Sequence, residues 1–284
     1  MKLCSIRSVV KRMLFRPEVL RPVYVPVLQS HLLQNRKALI TGGTSGIGYA
    51  IACAFARAGA KIAVTGRDAA KAESAARKIE VECGLNIPGR VCGLKFDSLC
   101  CDAFTDTIRE VDEKLGGVDI LVNNAGIVKG EVLGAASSAG YDEVMNTNLR
   151  GPFFLSQCIS EEWKKKQVKG NILNICSASS LRPGDSAYIL SKWGMRSLTL
   201  GMARDLIKYG IVVNGLAPGP TDTPHFVGDG QGGIGCPRNP SGRLGTMAEI
   251  ANLAVVLVSD MGRLVVGDVL YATGGAGVIT YDDV

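Results

Sequence analysis

From Lys37 onward, short apolar runs alternate with stretches in which apolar residues recur every three or four positions. That alternation predicts an α/β doubly wound architecture, a single domain with a parallel sheet flanked by helices on both faces. The runs at 38–41, 61–65, 90–96, 120–122, 171–176, 211–217 and 269–272 read as strands. The periodic stretches at 46–58, 68–83, 103–115, 141–165 and 188–209 read as helices, the last stopped by Gly210. The glycine-rich stretch 224–242 lies between the segment that follows the 211–217 strand and the next helix, and reads as a lid over a substrate.

Composition narrows the class. A chain of 284 residues that is 46% hydrophobic can bury one large core. Its apolar runs, such as 253–258, are too short for a membrane span. The net charge of +6 suggests nucleic-acid binding until it is located: residues 1–36 hold seven of the 32 basic side chains and one of the 26 acidic ones, leaving 25 of each elsewhere. Residues 1–36 therefore read as a basic N-terminal extension ahead of a neutral body, 37–284. A targeting segment or membrane-surface arm is the competing reading, opposed by Pro17, Pro22 and Pro26, which forbid a long amphipathic helix. The extension has no interleaved aromatics of the kind that grip single-stranded nucleic acid, so no nucleic-acid partner is expected.

Nine cysteines without a Cys-x-x-Cys pair read as reduced thiols of a cytoplasmic protein. With His31 and His225 the only imidazoles, no metal site is expected.

The candidate chemistry begins at Thr41-Gly42-Gly43-Thr44-Ser45-Gly46-Ile47-Gly48. A strand entering glycines and then a helix aims backbone N–H groups and a helix dipole at a pyrophosphate. After the second strand, where a carboxylate would hold the ribose hydroxyls of NAD, stands Thr65-Gly66-Arg67; a guanidinium suits a 2′-phosphate. NADP(H) is thus expected over NAD(H), with Asp68 a helix N-cap. Downstream, Ser177 ends a strand, and Tyr188 and Lys192 sit one turn apart on the next helix, a set able to move a hydride and a proton together.

These motifs in this order resemble the short-chain dehydrogenase/reductase family over residues 37–284. The resemblance implies cofactor contacts from Gly42, Thr44, Ser45, Gly46, Ile47 and Gly48, and from Arg67 and Asp97, the latter beside the adenine. Asn123-Asn124-Ala125-Gly126 matches the motif that supports the sheet and lines the cofactor channel, and Pro218, Gly219, Thr221 and Thr223 match the segment closing over nicotinamide. Asn148, Ser177, Tyr188 and Lys192 match the catalytic tetrad, Tyr188 and Lys192 touching cofactor as well. In that scheme Tyr188 gives the proton, Lys192 favours its phenolate, Ser177 holds the substrate oxygen and Asn148 holds a water that returns protons to Lys192.

The expected partner is a small carbonyl or alcohol substrate. A β-ketoacyl thioester leads, carried by a protein that Lys164, Lys165, Lys166 and Lys208 could meet; sugar, polyol and steroid alcohols remain open, as does a non-catalytic NADP(H) sensor. Cys176 should point away from the substrate, and His225 reads as a loop residue. Gly194 and Gly201 on the Tyr188 helix would let another helix approach, and the family resemblance implies a homotetramer using that helix.

Overall fold

The computed structural model describes residues 31–85, 89–223, 234–236 and 238–279. Residues 1–30, including most of the basic extension, and most of the expected lid with His225, lie outside the described residues.

Seven strands make one sheet in the order β3-β2-β1-β4-β5-β6-β9, every neighbour parallel. They are β1 (Lys37–Ile40), β2 (Lys61–Gly66), β3 (Val91–Lys95), β4 (Ile120–Asn123), β5 (Asn171–Ile175), β6 (Val212–Pro218) and β9 (Val269–Ala272). Alternate side chains serve opposite faces. Ala38, Ile40, Ile62, Val64, Ile120 and Val122 join one core with α1 (Gly46–Arg57), α2 (Ala69–Glu82) and α7 (Met247–Val258). Leu39, Ala63, Leu121 and Ile172 join the other, with α3 (Phe104–Leu115), α5 (Gly151–Lys166) and α6 (Ala187–Leu206). Strands buried on both faces explain why the runs read as continuously apolar.

Residues 31–36, assigned to the extension, pack on this body. Leu33 is fully buried within the first core. Arg36 pairs with Asp119 at 3.0 Å and donates to Asn171 Oδ1 at 2.8 Å, tying the chain's entry to the ends of β4 and β5.

The long helix expected over 141–165 is divided. α4 (Ser138–Met145) runs into a π turn, Asn146–Arg150, and then into α5. Pro152 is the cause: it has no N–H for the carbonyl four residues back, that of Asn148, and Gly151 N–H bonds instead to Asn146, five residues back. The ladder widens there by one residue.

A second, two-stranded sheet pairs β7 (Thr221–Asp222) with β8 (Gly245–Thr246), bringing the segment after β6 against the start of α7. Of the two glycines on α6, Gly194 serves a contact within the chain, since a Cβ there would lie 2.5 Å from Leu149 Cδ2. Only Gly201 faces open space.

Candidate active site

The turn from β1 to α1 is shaped by what it leaves out. Gly42 and Gly46 adopt left-handed φ values of 64° and 59°, which side chains other than glycine resist. Nothing lies within 4 Å of where a Cβ at Gly46 would stand, so the space before the turn is open. The N-cap Ser45 makes no side-chain cap bond, and α1 has no acid in its first turn, leaving its first N–H groups for an anion. This cradle fits the pyrophosphate of a dinucleotide. At the ends of β2 and β3, Arg67 is exposed, and Asp68 is occupied as the N-cap of α2, accepting from Lys71 N–H at 3.0 Å. Asp97 is half-buried just past β3 and accepts from Leu99 N–H at 3.0 Å.

β4 closes the centre of this edge. Asn124 Nδ2 donates to the carbonyls of Thr41 and Gly42 at 2.9 and 3.0 Å, and Thr41 Oγ1 accepts from the N–H groups of Asn124 and Ala125. Asn123 Nδ2 bridges Ser156 Oγ on α5 and Asn174 Oδ1 on β5, and Asn174 Nδ2 continues to Thr199 on α6. This buried amide chain ties the sheet to the helix layer on one of its faces behind the site.

Beside it opens a cavity of about 510 Å³. Ile47, Asn124 and Gly126 border it on one side and Pro218, Gly219, Thr221 and Thr223 on another, with Ser177, Tyr188 and Lys192 between them. Ser177 is the N-cap of a 3-10 turn, Ala178–Leu181, its Oγ accepting from Ser179 N–H at 3.1 Å. Ser186 caps α6, which starts the helix one residue before Tyr188 and sets Tyr188 and Lys192 on one face. Lys192 is only 7% exposed. Its Nζ donates to the Ile175 carbonyl at 2.9 Å and stands 5.7 Å from the Tyr188 ring centroid. No acid among the described residues pairs with it, and no described residue bonds the Tyr188 hydroxyl. A buried ammonium without a counter-ion is costly and stands where a phenol can use its charge.

Asn148 is buried behind this group. Its Nδ2 donates to the Ile127 carbonyl at 2.9 Å and to Ser191 Oγ at 3.2 Å, and its Oδ1 accepts from Ile127 N–H at 2.8 Å. Both amide protons are therefore taken by protein, and a water-holding role would fall to its main-chain carbonyl, which Pro152 leaves without an i+4 donor. Cys176 borders the cavity, but its side chain is buried with Met195, Ala217 and Val269, and burial pushes its thiol pKa up. Gly42, Thr44, Ser45, Gly46, Gly48, Arg67, Asp97 and Ala125 lie outside this cavity, along the same edge of the sheet. The sequence reading missed Val128, Ser179 and Arg182, which also line it; Ser179 and Arg182 stand two and five residues after Ser177, a proximity that could have marked them.

The family model for short chain dehydrogenase matches residues 36–231. The chain belongs to the short-chain dehydrogenases. It is 37% identical to gluconate 5-dehydrogenase of Gluconobacter oxydans (strain 621H), the match covering 87% of this chain and 96% of that one. It is 34% identical to a 3-oxoacyl-(acyl-carrier-protein) reductase of Vibrio cholerae, over 87% and 99%. A crystal structure of a short chain dehydrogenase from Burkholderia cenocepacia J2315 in complex with NADP superposes with a TM-score of 0.75 at 33% identity, covering 86% of this chain and 98% of that one. As a short-chain dehydrogenase, the chain is an oxidoreductase acting on CH–OH and C=O groups. No helix among the described residues is long and apolar enough to cross a membrane.

Proposed function

We propose that this short-chain dehydrogenase interconverts a ketone and a secondary alcohol with NADP(H) in preference to NAD(H). The observation that carries the reading is the buried, unpaired Lys192 beside Tyr188, at a cavity bordered by a dinucleotide cradle. When bound, the nicotinamide supplies or accepts the hydride. Ser177 Oγ holds the substrate oxygen, the Tyr188 hydroxyl gives it a proton, and Lys192 stabilises the phenolate left behind. Asn148 fixes Ile127 and Ser191 around that group, and its carbonyl is the place for a water that returns protons to Lys192. Arg67 would pair with a 2′-phosphate, and the NADP complex of the Burkholderia relative supports that choice.

Two substrate classes come from relatives. The Vibrio enzyme's name supports a β-ketoacyl thioester. Docking of its carrier through Lys164, Lys165 and Lys166 has little support: they pair with Glu161, Glu162 and Asp112, at the end of α5 remote from the cavity. A sugar or polyol substrate is favoured by the hydroxyls of Ser177, Ser179, Thr221 and Thr223 around the cavity and by the Gluconobacter relative.

A homotetramer is the accompanying proposal. Trp193, Leu200 and Ile207, seven apart along α6 and its extension, are all at least 40% exposed, an apolar stripe suited to a second copy. A monomer by light scattering would remove it. A cytoplasmic location accompanies the reading, with the eight described cysteines all free.

The test is NADPH consumption with a β-ketoacyl thioester and with keto sugars, run beside Tyr188→Phe. We expect turnover that falls by about 10²- to 10⁴-fold in the variant while NADPH affinity is retained. Near-full turnover in Tyr188→Phe overturns the proton-donor role. NADPH binding without turnover of any carbonyl compound favours a sensor.

A further inference from the structure

Arg182 borders the catalytic cavity, and the reaction above leaves it unused. It follows the 3-10 turn that begins one residue after Ser177, and its main chain is held on both sides. Its N–H donates to the Ser179 carbonyl at 3.3 Å, and its carbonyl accepts from Trp193 Nε1 at 2.7 Å. The guanidinium turns back to Ser179 Oγ at 3.4 Å, so Ser177, Ser179 and Arg182 border one cavity with Tyr188.

The charges around that cavity are of one sign. Its described lining holds two cations, Lys192 and Arg182, and no carboxylate. Lys192 is buried against the Ile175 carbonyl, whereas Arg182 is exposed and forms no ion pair with a described residue. A cleft lined by one sign concentrates counter-ions, and the guanidinium fork matches a carboxylate through two parallel hydrogen bonds. The hydroxyls of Ser177, Ser179, Thr221 and Thr223 match alcohol groups. One guanidinium balances one carboxylate, while a phosphate dianion would leave charge unmatched.

We propose that Arg182 anchors a carboxylate of the substrate, so that the chain acts on small polyhydroxy acids whose reacting carbon lies at Tyr188 and whose acid group lies at Arg182. This rests on the ketone–alcohol reading of the same site. Arg182 is thus a specificity-determining residue that reads charge at the end of the substrate remote from the chemistry.

The experiment uses the full chain with NADP⁺ and a series of short aldonic acids, D-gluconate first, each beside its primary amide, together with neutral polyols and sugar phosphates. Wild type, Arg182→Gln and Arg182→Lys are compared. We expect acids to exceed their amides in kcat/KM by about tenfold to a hundredfold in wild type, the range a charge-assisted hydrogen-bonded pair supplies. The difference should lie in KM. In Arg182→Gln the acid-to-amide ratio should fall toward one, with Arg182→Lys between the two. Gluconate should also raise the Tm of the wild-type NADPH complex, and that rise should be lost in Arg182→Gln.

An acid-to-amide ratio near one in wild type, a ratio untouched by Arg182→Gln, or a preference for sugar phosphates overturns the anchor. Turnover of neutral polyols without preference for acids removes the anchor and leaves the ketone–alcohol reading in place. NADPH binding with no turnover of any acid, amide, polyol or ketone overturns that reading, and the anchor with it.

Discussion

Gly48 and Asn124 occupy adjoining space so tightly that a Cβ at the glycine would stand 2.3 Å from Asn124 Nδ2 and 2.5 Å from the Gly42 carbonyl oxygen. The glycine thus keeps open the pocket in which Asn124 braces the dinucleotide turn. Gly48→Ala must push Asn124 off the Thr41 and Gly42 carbonyls or shift the turn itself, and overpacking of this kind costs about 1–3 kcal/mol. The expected outcome is a lower Tm together with weaker NADPH binding by titration. Unchanged values for both would show that the turn has room to give.

Arg67 governs cofactor choice if a 2′-phosphate lies at the end of β2. Arg67→Ala should weaken NADPH binding by about tenfold to a hundredfold, the worth of a hydrogen bond to a charged group, with little effect on NADH. Because Arg67 is exposed, the preference should also shrink as salt rises. Dissociation constants for both cofactors at low and high salt check this, and equal losses for NADPH and NADH would remove Arg67 from the discrimination.

Leu33 gives the segment before β1 a structural role. It is fully buried and its N–H donates to the Ala58 carbonyl at 2.9 Å. Leu33→Ala should cost about 2–5 kcal/mol and lower Tm by roughly 4 to 20 °C. A Tm equal to wild type would mean that the Leu33 side chain adds nothing to the fold.

Much of the architecture could be read from the sequence because strands covered on both faces leave unbroken apolar runs, and because the glycine turn, Ser177, Tyr188 and Lys192 are fixed by local geometry. What escaped depended on atoms brought together from afar. The π turn came from one missing N–H at Pro152, which periodicity does not register. Gly194 reads as letting another helix approach, and only the fold shows that the neighbour filling its space is Leu149, from the π turn of the same chain. Which atom of Asn148 would hold a water was not legible either, and only the folded contacts show that Ile127 and Ser191 take its amide protons and leave the main-chain carbonyl. Arg182 went unnoticed because standing five residues after Ser177 marks it as near the site in the chain but does not show that the turn carries its guanidinium back to the cavity.

Glu249 links acid stability to the segment after β6 that borders the cavity. Its carboxylate pairs with Arg243, Oε1 accepting from Nη2 at 2.6 Å, and its Oε2 accepts from Thr246 N–H at 2.8 Å, completing a capping box at the start of α7. Arg243 first, and then the Thr246 main chain and hydroxyl, hold its pKa down at about 2 against an ordinary 4.5. A depressed carboxyl pKa contributes stability that is complete above the unfolded-state value and is lost as pH falls through the folded-state value. The contribution should therefore be intact at neutral pH and fade between about 4.5 and about 2. Glu249→Gln, which keeps the shape and removes the charge, should melt below wild type at neutral pH, and the gap should narrow through that window. Since β8 ends at Thr246 and pairs with β7, the variant should also loosen Thr221 at the cavity and raise the NADPH dissociation constant at neutral pH. A Tm gap that stays constant with pH would assign the effect to the lost cap geometry instead of the charge.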